Sequence, residues 1–354
     1  MNILIATGGT GGHIFPAIQV AQALKVRGHT VSFAGVLGLA EDKIKALGFP
    51  LYSLAARGLN DRSFKVWLDF VTMMSGAVFR SFHVIRKSSP DKIIGFGGYG
   101  AFPVVMAGVL MRRATMIHEQ NVIPGKANIL LSKMVSKVAI SFEASRKYFS
   151  RAKTVWTGCP CHHSVVENKV EALAVFGLSP GKKTLVLLGG SQGSQKLNEV
   201  FFKLMEGLSR INFQAIHMTG KKDYSLYAER YAQAHLPVKV CAFIDDVSQA
   251  YAAADIVIAR AGAATVSELG LLGLPAILIP YPFAGNHQKY NADILADCGA
   301  AIVLEQKNLT ENSLQEAVNR LLTCDVSREN LRMKTKGLFQ GDAALQLALV
   351  AEGL

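Results

Sequence analysis

The chain has 354 residues, enough for two domains at roughly 150 residues each. Hydrophobic residues make up 50% and charged residues 18%, which excludes disordered, coiled-coil and collagen-like classes. A net charge of +12 sits beside a mean hydropathy of +0.25, so the chain is basic and apolar at once, a pairing that suits a membrane surface better than nucleic acid.

The first predicted strand is Asn2–Ala6, with no basic n-region before it and therefore no signal peptide expected. A glycine-rich turn and a helical pattern over Phe15–Leu24 follow. Further strands are predicted at Val31–Ala34, Lys92–Gly95, Thr115–His118 and Lys137–Ile140. Between Val31–Ala34 and Lys92–Gly95, Arg62–Arg80 places Trp67, Phe70, Val71, Met74 and Val78 at near-helical spacing. Arg62, Lys65, Arg80, Arg86 and Lys87 flank the stretch, and Arg112, Arg113 and Lys133 extend the same basic character. A basic-rimmed apolar helix suits docking on anionic lipid heads; the alternative is a core helix with solvated ends. The longest apolar run, Ala101–Met111, contains Pro103 and is too short for a bilayer span of ~18–20 residues.

The domain boundary is expected between Gly158 and Lys182, giving domains at 1–160 and 161–340. Second-half strands are predicted at Thr184–Leu188, Phe213–His217, Val238–Phe243, Ile256–Ile258 and Ala276–Ile279, with a helix over Leu197–Leu208. A last helix over Ala343–Val350, within 341–354, is expected to pack back on the first domain. Five scattered cysteines (Cys159, Cys161, Cys241, Cys298 and Cys324) read as reduced thiols of a cytosolic protein. Continuous apolar strands alternating with helices predict α/β domains with doubly wound parallel sheets, which bind ligands outside the carboxyl ends of their strands. Two such domains facing each other are expected to form one cleft.

Charge divides the halves. Residues 1–160 hold 20 Lys and Arg against 7 Asp and Glu, and residues 161–354 hold 18 against 19. The first half is therefore expected to meet an anionic surface or ligand, and the second to do something else.

Three glycine clusters carry the chemistry. Gly8-Gly-Thr-Gly-Gly12 joins a strand to a helix, so its backbone can approach an anion closely. It lacks the Gly-Lys-Ser/Thr ending of a Walker A loop and the spacing of a dinucleotide fingerprint, and no acid ends the second strand, which disfavours NAD. Gly189-Gly-Ser-Gln-Gly193 is the better phosphate cradle, because Ser191 adds a hydroxyl donor. Gly95-Phe-Gly-Gly-Tyr-Gly100 is the third. One diphosphate in each domain would account for all three.

Read in order, these segments resemble the MurG family, the cytoplasmic N-acetylglucosaminyltransferases of peptidoglycan synthesis. The landmarks are Gly8-GTGGHIFPA-Ile18, Gly95-FGGYGAFP-Val104, His118-Glu-Gln-Asn121, Gly189-GSQGS-Gln195, Phe243-Ile-Asp-Asp246, Arg260-AGAATVSE-Leu269 and His287-QKYNA-Asp293. The resemblance covers essentially the whole chain. It implies the GT-B architecture of two Rossmann-like domains and inverting transfer of GlcNAc from UDP-GlcNAc to undecaprenyl-diphospho-muramoyl-pentapeptide (lipid I), giving lipid II and UDP. It also implies no metal or other cofactor.

The roles it implies fall on named residues. His13 is the candidate base, with contact to acceptor phosphate as its alternative role. His118 competes less well and is expected to order the loop that follows it. Donor contacts are implied for Thr10, Gly11, Gly12, Asn121, His162, Gly190, Ser191, Gln192, Gly193, Ile244, Ala263, Ala264, Thr265, Val266, Ser267, Glu268 and Gln288. Among them Glu268 would hold the ribose diol, Ile244 would meet uracil through its backbone, and Gln288 would contact sugar hydroxyls. Amides of Ala263 to Ser267 would face the diphosphate, so the near-neutral second half is expected to use amide dipoles in place of cations. The acceptor diphosphate falls to Gly9, Gly97, Gly98 and Tyr99, and membrane contact to Trp67, Phe70, Val71, Met74 and Arg80.

Two departures stand out. Cys159-Pro-Cys-His162 replaces the Asn-Pro-x-Arg of many relatives, so His162 stands where an Arg is usual, and Lys289 replaces a frequent aromatic. The Cys159-x-Cys161-His162-His163 run has zinc-ligand types but no second ligand pair, and no metal is expected there. The implied partners are UDP-GlcNAc, lipid I and an anionic membrane surface, at the cytoplasmic face of the plasma membrane; other cell-wall enzymes are compatible with them. Rival readings are a UDP-sugar transferase to another membrane lipid such as a diacylglycerol, UDP-GlcNAc 2-epimerisation, and nucleic-acid binding. The last finds no aromatic-rich RNP motif and no Lys/Arg-rich tail.

Overall fold

A computed structural model describes residues 1–8, 11–54, 64–161, 168–190, 193–208, 212–323, 330, 333–335 and 338–354, without the side chains at 39, 64–67, 284 and 323. The chain forms two compact units. Met1–Cys161 with Gln340–Leu354 make the first, and His162–Phe339 the second.

The first unit holds a seven-stranded sheet built from β1 (Asn2–Gly8), β2 (Thr30–Val36), β3 (Leu51–Ser53), β4 (Lys92–Gly95), β5 (Ala114–Glu119), β6 (Lys137–Ile140) and β7 (Thr154–Trp156). Their order is β3-β2-β1-β4-β5-β6-β7, with parallel pairing throughout. The apolar run of β1 is explained by burial on both faces. Ile3 and Ile5 pack with Ile14, Ile18 and Leu24 of the helix Gly11–Val26, while Leu4 and Ala6 face Val84, Ile85, Val104 and Val105 on the other side.

The second unit repeats the design with six strands: β8 (Lys183–Leu188), β9 (Phe213–Met218), β10 (Val238–Cys241), β11 (Ile256–Ala259), β12 (Ala276–Leu278) and β13 (Ala301–Val303). Their order is β10-β9-β8-β11-β12-β13, again all parallel. The order reverses between β1 and β4 in one sheet and between β8 and β11 in the other. Those are the switch points where a doubly wound sheet opens a crevice for a ligand, and all three glycine clusters leave strands that flank them.

The helix Ala343–Glu352 belongs to the first unit. It buries Leu347, Ala348 and Ala351 beside the helix Gly11–Val26, and Glu352 takes a forked bond from Arg27 at 2.6 and 2.7 Å and a contact from His29 at 2.7 Å. Lys92 Nζ donates to the Glu352 carbonyl at 2.6 Å.

The basic-rimmed stretch becomes the helix Phe64–Ser88. Its inward stripe is Met74, Ala77, Ser81, Val84 and Ile85, while Leu68, Val71 and Phe79 are exposed. Met74, expected at the membrane, is instead core: it lies one turn ahead of Ala77 on the face that packs against the unit. No helix among the described residues is long and apolar enough to cross a membrane.

Candidate functional site

At the switch point of the first unit, close backbone approach explains the glycines. Gly97 and Gly98 adopt φ of 79° and 77°, which L side chains rarely adopt, and a Cβ on Gly98 would collide with the Gly8 carbonyl oxygen. A Cβ on Gly97 would lie 3.3 Å from the His13 ring. Gly97 and Gly98 thus close over the third residue of the helix Gly11–Val26, which is His13.

The orientation of His13 can be derived. Gln120, buried at the end of β5, donates from Nε2 to the Phe96 carbonyl at 2.9 Å. A carbonyl only accepts, so the amide nitrogen must face it and Oε1 must face the other way. Oε1 lies 3.1 Å from His13 Nδ1. That nitrogen therefore carries the proton in the neutral ring, and Nε2 keeps its lone pair. Gln120 is a site residue that sequence reasoning missed, although it lies inside a quoted motif.

Glu119, not His118, orders the loop after β5. Its buried carboxylate accepts from the Asn121 amide at 2.9 Å, the Gly125 amide at 3.1 Å and Asn128 Nδ2 at 2.8 Å. His118 is fully buried behind the loop, with Nε2 3.1 Å from the Gly158 carbonyl oxygen, and burial pulls its pKa down to about 4. Asn121 stays half-buried at the loop start, its Nδ2 3.3 Å from Glu119 Oε1. Tyr99 exposes half its ring and meets Phe70 edge-on at 6.3 Å. Gly11 and Gly12 open the helix that carries His13.

In the second unit, Gly190 and Gly193 take φ of 88° and 73°, and Gly193 is pressed against the Thr219 carbonyl. Gly262 caps the helix Ala263–Leu272, so Ala263, Ala264 and Thr265 present first-turn amides without intrahelical partners. Val266, Ser267 and Glu268 are buried one turn on. Tyr251 donates its hydroxyl to Glu268 Oε2 at 2.8 Å, a partner the sequence did not reveal. Gln288 Oε1 accepts from the Ala261 amide at 3.1 Å and the Tyr281 amide at 2.9 Å, tying the loops after β11 and β12 and leaving its NH2 as the group that donates outward. Ile244 is buried two residues before Asp246, whose carboxylate caps the helix Val247–Ala253 through the Ser248 amide.

Gly9, Thr10, His162, Ser191, Gln192 and the side chain of Trp67 lie outside the described residues. Among the described residues no group of three or more His, Cys, Asp or Glu side chains is arranged to hold a metal; Cys159 and Cys161 are buried.

Residues 3–140 match the glycosyltransferase family 28 N-terminal domain, and residues 184–347 its C-terminal domain. The UDP-N-acetylglucosamine–N-acetylmuramyl-(pentapeptide) pyrophosphoryl-undecaprenol N-acetylglucosamine transferase of Thermodesulfovibrio yellowstonii is 37% identical, over 100% of this chain and 99% of that one. The chain belongs to glycosyltransferase family 28. A protein of the same description from Desulfotalea psychrophila is 35% identical over 100% of this chain and 96% of its own. Among solved structures, MurG of Acinetobacter baumannii superposes with a TM-score of 0.78 at 27% identity, covering 99% of each chain. The two parallel α/β units are thus those of a GT-B glycosyltransferase of family 28.

Proposed function

We propose that this protein moves GlcNAc from UDP-GlcNAc to lipid I, forming lipid II and UDP. Full-length similarity to relatives named for that reaction carries the reading. The first unit supplies the base. As the acceptor hydroxyl oxygen attacks the anomeric carbon, His13 Nε2 takes its proton while Gln120 holds Nδ1–H; the bond from that carbon to the UDP oxygen breaks with inversion, and UDP leaves with the electron pair. Gly97, Gly98 and Tyr99, with Gly9, receive the acceptor diphosphate at the loop after β4.

The second unit receives the donor. Glu268 accepts from the ribose diol, Ile244 meets uracil through its backbone, and Gln288 donates to a sugar hydroxyl. The Gly190–Gly193 loop and the amides of Ala263 to Ser267 meet the diphosphate, whose charge grows as UDP leaves. Asn121, with Thr10, Gly11, Gly12 and His162, completes the donor contacts. The exposed Val71 and Arg80, with Leu68 and Phe79 on the same helix and the half-buried Phe70, rest on anionic lipid, so the enzyme is peripheral to the cytoplasmic face of the membrane.

The test is transfer of radiolabel from UDP-GlcNAc to a lipid I analogue, with diacylglycerol as a parallel acceptor and a third reaction lacking acceptor. Label on the lipid I analogue alone is the expected result. Label on diacylglycerol alone, or acceptor-free conversion of UDP-GlcNAc to its 2-epimer, would overturn the proposal.

A further inference from the structure

Arg260 is a cation to which none of the described residues of its own unit offers an anionic partner. Its side chain is buried at the carboxyl end of β11, 8% exposed. Nη1 donates to the carbonyls of Ile279 and Pro280 at 3.1 and 3.3 Å, and Nη2 to Ser194 Oγ and Gln306 Oε1 at 2.7 and 2.5 Å. The guanidinium also lies over the Tyr281 ring, 5.5 Å from its centre. All these partners are neutral, and among the described residues none of its bonds goes to a carboxylate. Burial lowers its pKa to about 10, so it remains charged at neutral pH.

Taking a charge out of water without a counter-ion is unfavourable, and a neutral donor would join the same loops without that penalty. The charge therefore answers an anion that none of the described residues supplies. Its place says which one. Arg260 follows β11 at the switch point, its Nη2 holds Ser194, the residue just after the glycine loop that follows β8, and Gly262, two residues on, opens the helix Ala263–Leu272.

We infer that Arg260 is the buried counter-charge for the donor diphosphate, a positioning residue that fixes the Ser194 end of the glycine loop and adds positive potential beneath the amides that meet the phosphates. This rests on the donor reading of the second unit. On this inference a side-chain cation joins the amide dipoles expected there.

UDP and uridine differ only in the diphosphate, so the ratio of their affinities isolates this role from general damage to the pocket. Calorimetric titration of both ligands into the full chain, Arg260→Gln and Arg260→Lys is the experiment. Arg260→Gln is expected to weaken UDP roughly 10- to 100-fold with uridine changed less than about threefold, and Arg260→Lys to restore most of the ratio by restoring the charge. Equal losses for UDP and uridine in Arg260→Gln would overturn the inference while leaving the donor site standing. Failure of the unsubstituted chain to bind UDP would overturn both. Where Arg260→Gln does not fold, Arg260→Lys decides: a retained UDP-to-uridine ratio supports the inference, and a lost ratio with uridine still bound defeats it.

Discussion

A carboxamide set between a carbonyl and an imidazole has one favourable orientation, and at Gln120 that orientation fixes the proton on His13. Two substitutions separate the proposed base from its support. His13→Ala is expected to lower turnover by about 10²- to 10⁴-fold, the usual range for a lost general base, with UDP affinity unchanged in a binding assay. Gln120→Leu keeps the imidazole but frees its tautomer, so kcat should fall by less than in His13→Ala and KM should stay near its original value. In the second unit, Glu268→Ala is expected to weaken UDP about 10- to 100-fold in the same titration, and Tyr251→Phe less, since it removes only one bond to the carboxylate. The positions of His13 and Glu268, on helices that open after glycine turns, were legible in the sequence. Gln120, Tyr251 and Arg260 were not, because their partners (Phe96, Glu268 and Ser194) lie 24, 17 and 66 positions away and only the fold brings them close.

At the scale of elements, the interior strands were legible for one reason: burial on both faces makes each a continuous apolar run, as in Ile3 to Ala6 and Leu185 to Leu188. β3, β7 and β13 are three-residue strands at sheet edges, too short to show any period, and they escaped. The helix Phe64–Ser88 shows the limit of a stripe read from spacing alone. Trp67, Phe70, Val71, Met74 and Val78 recur at helical intervals, but spacing does not say which flank turns inward, and Met74 does. Its two faces should therefore respond differently. Val71→Asp with Phe79→Asp is expected to reduce co-sedimentation with anionic vesicles while leaving the thermal midpoint nearly unchanged. Met74→Ala should do the reverse, destabilising the first unit by about 2–4 kcal/mol in urea unfolding.

Across the whole molecule, net charge proves a coarse guide. The second half is near neutral by count, yet it keeps a buried cation at the carboxyl edge of its sheet, which a sum over residues hides. Among the described residues each unit also stores a neutral histidine in its core. Burial holds His118 at about 4 and His217 at about 3, against 6.5 for an unburied imidazole. Both are depressed, so below pH 6.5 the unfolded chain binds protons that the folded chain refuses. Stability is full above that pH and declines as pH falls toward 4 and then 3, each histidine adding a slope of up to about 1.4 kcal/mol per pH unit. Urea unfolding at pH 7.5, 6 and 5 should show the decline, and His217→Asn should flatten it for the second unit.

The return of the helix Ala343–Glu352 makes the first unit discontinuous in sequence, with the second unit set into it as an insertion. A ribosome delivers Leu347, Ala348 and Ala351 only after all of the second unit has been made. The amino-terminal unit therefore waits with part of one core face uncovered, against the usual order in which the earliest-made domain finishes first. Until those last turns arrive, the chain's more basic half is also its less finished one.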